Sequence, residues 1–214
     1  MAPEQPKTVV TAAEQVLVVP RGDLFPHRTF RGFSTKGTDT YVATIKQCAF
    51  FAPRDQVEED SSVKQIIPYV ILRYQDRVFL THRTQQGAEA RLRDKYSIGL
   101  GGHINPIDET TPADRLTAGM ERELTEEVML PAGWHAVPIG VLNNDTDAVG
   151  QVHFGLVYLA DVPSADVRVR ETSKLAGAFA CWQEVYAVYA HLESWSQLVV
   201  DAVDLWGLRT GAAS

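Results

Sequence analysis

An α/β (α+β) sandwich is the fold this chain predicts, on three observations. Two apolar, β-branched runs at 66–74 and 77–83 flank the polar pair Gln75-Asp76, as in a hairpin. A single well-marked helix follows at 111–129. Beyond it, a long strand at 152–162 and a closing helix at 194–205 complete the pattern. With 214 residues, 45% hydrophobic and 22% charged, the chain suits one domain with an appended segment. The expected division is an N-terminal extension over 1–63 and the main domain over 64–208.

Residues 1–13 are polar, hold two prolines and read as disordered. The run 15–19 is a short strand closed by Pro20. Residues 21–37 carry Gly22, Pro26, Gly32 and Gly37 and read as a loop, in which Phe25, Phe30 and Phe33 need somewhere to pack. A second strand is expected over 41–51 and an acidic link over 56–62. This first third converts to no chemistry, and it is read as a small covering subdomain or a homodimer contact. A charged loop with Arg91, Arg93 and Lys95 leads from the hairpin to a strand and turn at 96–103. After the helix, strands at 136–143 and 152–162 flank the turn Asn144-Asp145-Thr146-Asp147. Short strands are expected at 167–171 and 179–182 around Gly177. Helical spacing then begins at 183 and is clearest where Trp195, Leu198, Val199, Ala202 and Leu205 recur at three and four.

A net charge of −7 argues against sequence-independent grip on nucleic acid, which needs a basic surface. A local basic pocket together with a metal would still hold an anionic small molecule. No apolar run is long enough to span a membrane, and the N-terminus lacks a signal-peptide core. Cys48 and Cys181 make no metal or redox spacing and are expected to be reduced thiols of a cytoplasmic protein.

The helix at 111–129 carries the chemistry. Thr111-Pro112-Ala113-Asp114 reads as a threonine cap, a proline at the first helical position and an acid three residues on. Leu116, Met120, Leu124 and Val128 then share one face. Glu123, Glu126 and Glu127 stand at i, i+3 and i+4, so like charges are brought together. One reading is an acidic surface helix with pairs such as Arg122–Glu126. Glu127, however, projects onto the apolar side, where a carboxylate costs several kcal/mol unless paired or metal-bound. Hard cations such as Mg2+ take oxygen ligands and reverse that cost. Gly119 leaves room on the side of Glu123 and Glu126 for something to approach.

Arg122-Glu123-Leu124-Thr125-Glu126-Glu127, with Leu130 beyond and Gly102 before it, resembles the Nudix hydrolase signature. That signature reads Gly, five residues, Glu, seven residues, then Arg-Glu-aliphatic-x-Glu-Glu-x-Gly-aliphatic. Two departures stand out. Gly102 to Arg122 is twenty positions where the signature has fourteen, and Met129 replaces its second glycine. The upstream acid is therefore Asp108 or its neighbour Glu109 by counting forward, or Asp114 by counting back.

The resemblance implies a Nudix-type α/β/α sandwich with a mixed sheet and a Mg2+-dependent hydrolase (Mn2+ a substitute). Its substrate would be a nucleoside diphosphate linked to another group. It makes Glu123, Glu126 and Glu127 the metal-binding, catalytic acids and Arg122 their orienting partner. Family members often recruit a further acid; Glu171 is the choice here, with Glu184, Asp145 and Asp147 also available. Gly101 and Gly102 would let backbone approach metal or phosphate, and His103, Arg83 and Arg91 are candidate phosphate contacts. Tyr69, Phe154, Tyr158 and Trp182 read as core rather than as base-stacking residues. A Nudix-fold nucleotide-binding regulator without turnover is one alternative. The other is an isopentenyl diphosphate isomerase, whose cysteine near the glycine turn has no counterpart in 96–103.

Overall fold

A computed structural model describes residues 13–83, 95–108 and 114–202. The segment 1–12, expected to be disordered, lies outside the described residues, as do Arg91 and Glu109. The described residues form a nine-stranded mixed sheet, with helices on both faces. Its spine is β4 (Val63–Tyr74), which pairs in parallel with β9 (His153–Asp161) from Gln65↔His153 to Arg73↔Asp161. Because side chains alternate along a strand, Ile66, Val70 and Leu72 of β4 enter one core layer while Tyr69 and Ile71 enter the other. The hairpin is as expected, β4 turning through Gln75 and Asp76 into β5 (Arg77–Arg83). From there the sheet runs through β5 to β11 (Leu175–Ala180) on one side. On the other it runs through β9 to β8 (His135–Asn143) and β2 (Gly32–Ser34).

The first layer is covered by α4 (Arg115–Glu127), through Leu116, Met120 and Leu124, and by α2 (Thr38–Cys48), through Ile45. The second is covered by α6 (Trp182–Ala187) and α7 (Ser194–Asp201), through Val185, Trp195, Val199 and Val200. Two sheet faces each buried under helices make the expected three-layer sandwich.

The structure corrects the reading of residues 41–51, expected as a strand. They fall mostly in the helix α2, followed by β3 (Phe50–Pro53). Aromatic and β-branched composition suggested a strand, but Tyr41, Ile45 and Ala49 lie four apart and pack together on the core. The 21–37 loop also holds a helical turn at Arg21–Leu24 (α1) and strand β2. Phe25, Phe30 and Tyr41 meet Phe154 in edge-on and tilted contacts, with ring centroids 5.3 to 6.5 Å apart. β1 (Gln15–Pro20) pairs with β3 and with the start of β4, so elements before residue 64 hydrogen-bond into the same sheet. Thr111–Ala113 lie outside the described residues, and α4 begins with Asp114 in the N-cap position. Cys48 and Cys181 are free thiols. Among the described residues, no helix is long and apolar enough to cross a membrane.

Two buried cations tie the N-terminal elements to the rest. Arg115, at the start of α4, donates to the carbonyls of Ile45, Lys46 and Ala49, where a cation suits the C-terminal end of α2. Lys64 is fully buried, and its Nζ donates to Asp145 Oδ1 at 2.8 Å and to the Gly150 carbonyl at 2.6 Å. Arg21 grips the same carboxylate at 2.6 and 3.1 Å. Against the cost of burial, these pairs pull the Asp145 carboxyl down to about 2. Burial in turn lowers the pKa of Lys64, against the pull of Asp145.

Removing a fully buried member of such a pair should cost more than removing a part-exposed one. Lys64→Met should lose about 3 kcal/mol in urea unfolding, and Arg21→Met about 1 kcal/mol. Equal losses would refute that ordering.

Candidate active site

The site is built where α4 crosses the loop that leaves β6 (Tyr96–Ser97), and two glycines let them meet. At Gly101 (φ 153°) a Cβ would lie 1.8 Å from the Pro68 carbonyl oxygen, so only glycine fits against β4. At Gly102 a Cβ would lie 2.2 Å from Glu123 Oε2, so the carboxylate packs directly on the backbone. Gly119 does the same for α4. Its missing side chain admits Ile104 and the Asp108 carboxylate, which therefore are what approaches there.

Arg122 organises the cluster. Its Nε and Nη2 donate to the two Asp108 oxygens at 2.8 and 2.9 Å, a two-pronged pair in which Asp108 is 4% exposed. Nη2 also donates to the His103 carbonyl and to Asn105 Oδ1, at 2.8 and 2.9 Å. Nη1 donates to Glu123 Oε1 at 2.8 Å and to both Glu126 oxygens at 3.3 Å. The Asp108 hydrogen bonds above all keep this guanidinium charged. Asp108, one of the three possible upstream acids, thus meets Arg122, while Glu109 lies outside the described residues. Counted from Asp108, the lengthening of the signature falls between it and Arg122.

The three glutamates sit in different surroundings. Glu126 is 58% exposed, Glu123 16% and Glu127 24%. Burial raises the pKa of Glu123, offset in part by Arg122. Burial pushes Glu127 up to about 7, although Arg83 and the Gly101 N–H pull the other way. Its Oε1 lies 3.7 Å from Arg83 Nη2, while its Oε2 is buried and has no hydrogen-bond partner among the described residues.

Among the described residues, no three His, Cys, Asp or Glu side chains converge closely enough to enclose a metal ion. Here Arg122 is bonded to both Glu123 and Glu126. The residues nonetheless fit a hard cation, because all the donors are carboxylate oxygens and one of them is buried without a partner.

The other expected site residues divide. Arg83 is beside Glu127, as above. His103 turns its ring to Gln65 Oε1 (2.7 Å) and His153 Nε2 (3.4 Å). Burial, then the nearby charge of Arg54, pushes its pKa down to about 3, so the ring is neutral at neutral pH. Glu171 pairs with Lys174 at 2.6 Å and is 64% exposed. Asp145 belongs to the Lys64 network, Asp147 accepts from Gly150 N at the start of a short helix, and Glu184 accepts from Cys181 N. Tyr69, Phe154 and Tyr158 are core, as read.

Sequence reasoning missed Asn105, Ser97, Glu193 and Ser196. Asn105 and Asp108 close a turn on each other, a pattern that Asn-Pro-Ile-Asp could have signalled. Ser196 accepts from Ile98 N and pairs with Tyr69 and Ser97, tying α7 to the strand that leads into the glycine turn. No local pattern announces that network.

Glu127 dictates a pH dependence. Below pH 4 its carboxyl is protonated in folded and unfolded chains alike. Between about 4.5 and 7 only the folded chain keeps the proton, so stability falls as pH rises through that window. Without divalent ions, Glu127→Gln should be more stable than the parent at pH 8 by about 3 kcal/mol. The gap should close below pH 4. A gap that ignores pH would refute the burial of this charge.

Comparison with known proteins bears on identity. No protein-family model matches the chain. Protein YmaB of Bacillus subtilis (strain 168) is 37% identical over 203 residues, which is 89% of this chain and 98% of that one. The crystal structure of Tm1382, provisionally assigned as a Nudix hydrolase, superposes with a TM-score of 0.75 at 30% identity. That match covers 89% of this chain and 98% of Tm1382. Likeness of this extent, together with the box residues gathered on α4, places the chain in the Nudix hydrolase family.

Proposed function

We propose that this protein is a Mg2+-dependent, cytoplasmic pyrophosphohydrolase. It cleaves the diphosphate linkage between a nucleoside and another group by attack of water on phosphorus. The observation that carries this reading is the buried, unpartnered Oε2 of Glu127 beside Glu123. A protein gains nothing from such an oxygen unless a cation completes it.

Glu123, Glu126 and Glu127 would hold the cation, with Mn2+ as a substitute. When bound, such an ion neutralises phosphate charge and lowers the pKa of a coordinated water. Arg122, anchored on Asp108, keeps Glu123 and Glu126 turned toward one another. Glu123, held against Gly102 with a raised pKa, is the group to accept the proton of the attacking water. The glycine turn keeps bulk away from Glu123, and Arg83 stands beside Glu127 to meet a phosphate oxygen. Glu171 would have to leave Lys174 to join them.

A panel of nucleoside diphosphate derivatives with Mg2+, assayed for phosphate-containing products, tests this. Turnover should need the metal and should fall about a hundredfold or more in Glu127→Gln. Asp108→Asn, acting through Arg122, should lower kcat by about ten- to a hundredfold and leave KM nearly unchanged. No hydrolysis of any compound, or hydrolysis indifferent to Glu127→Gln, would overturn the assignment.

A further inference from the structure

The loop beyond the glycine turn is stitched to the first strand of the chain. Gln15 and Leu17 of β1 stand two residues apart, so their backbone groups point to the same edge. Leu17 N–H donates to the Ile104 carbonyl at 2.9 Å, and the Gln15 carbonyl accepts from Asn105 Nδ2 at 2.8 Å. Further along, Val18 to Pro20 pair with Val63 to Gln65 of β4. β1 therefore joins the sheet at one end and the 104–105 loop at the other.

Asn105 makes this seam part of the acidic site. Its Oδ1 accepts from Arg122 Nη2 at 2.9 Å, so one planar amide spans from β1 to the guanidinium. The orientation of that amide is forced. Turned over, it would set NH2 against the guanidinium and oxygen against the Gln15 carbonyl, and both bonds would be lost. The main chain of Asn105 holds Asp108 as well. Its N–H donates to Asp108 Oδ2 at 2.8 Å, the oxygen that also meets Arg122 Nη2, and its carbonyl accepts from the Asp108 N–H at 3.0 Å. The preceding residue, Ile104, is 1% exposed and sits against Gly119 of α4, where a Cβ would lie 2.8 Å from Ile104 Cγ1. Packing this close leaves the loop little room to slide and replace a lost bond.

We propose that Asn105 is a positioning residue of the acidic site, carrying the hold of β1 through its amide to Arg122. It acts on Glu123 and Glu126 only through the guanidinium, which donates to both. The strand at Gln15–Pro20 is then part of the framework of the site rather than a cover over it. The inference rests on the hydrolase reading for what the aligned carboxylates do, whereas the link itself needs no substrate.

Hydrogen exchange followed by NMR on the full chain reads the two ends of the link, the Arg122 Nε–H and the Leu17 amide. In Asn105→Ala both should exchange about tenfold faster. Asn105→Asp keeps an acceptor for Arg122 and removes the donor to Gln15, so it should release Leu17 and leave Arg122 protected. Arg21→Met, which weakens the N-terminal elements without touching the 103–105 loop, should leave the Arg122 Nε–H as in the parent. With the substrate panel, Asn105→Ala should lower kcat about tenfold and leave KM nearly unchanged. The proposal is overturned if Asn105→Ala leaves Arg122 exchange unmoved, if Arg21→Met quickens it equally, or if an active parent loses no kcat in Asn105→Ala. Should the alanine variant not fold, Asn105→Asp decides alone, and unchanged Leu17 exchange overturns the link. Faster exchange at both ends with no turnover by the parent supports the link and removes only the hydrolase.

Discussion

The structure depends on one guanidinium. Arg122 faces Asp108 with two prongs, takes two oxygens of the 103–105 loop and still reaches Glu123 and Glu126. Each of those groups would be costly to bury alone. Asp108 in particular is 4% exposed and has no room to find water. Meeting at one planar cation, they satisfy one another and fix the angle between the loop and α4. That angle sets Gly102 against Glu123, and so determines where the acidic side chains sit.

Around this node the fold works as a clamp. On the first layer, Arg115 joins the start of α4 to the end of α2, so the box helix is held at its N-terminal end as well as along its apolar face. On the second layer, Glu193 caps α7 while Tyr69, Ser97 and Ser196 share a polar network with it behind the glycine turn. A Cβ at Gly99 would lie 2.0 Å from the Tyr69 ring, so that network presses directly on the strand leading to Gly101. Both layers thus converge on a few backbone atoms. Rigid support of this kind is what a charge-dense site requires if its carboxylates are to stay close together.

Glu127 carries the opposite sign of energy. Its burial raises its pKa to about 7 and leaves one oxygen without a partner, so it destabilises the chain by itself. Stability given up at a cluster of aligned carboxylates, and supported elsewhere by the Lys64–Asp145–Arg21 network and the sandwich core, is the pattern of a site kept for chemistry.

Much of this was legible in the residues. Continuous apolar, β-branched runs placed the hairpin and β9, because β4 and β9 are buried on both faces, and period-3.6 spacing placed α4 and α7, because each buries one face. The i, i+3, i+4 glutamates were legible too, since helix geometry alone brings them together. The helix over Thr38–Cys48 was not, because a short segment rich in threonine, valine and tyrosine suits either period until something packs on it. Nor was the pairing of Asp108 with Arg122, or the inward turn of His103. Spacing counts residues along the chain, whereas an ion pair and a histidine's surroundings are settled by distances across it. Local sequence thus determined which side chains carry the charge; only the tertiary structure decided which were buried, because desolvation depends on what packs above them.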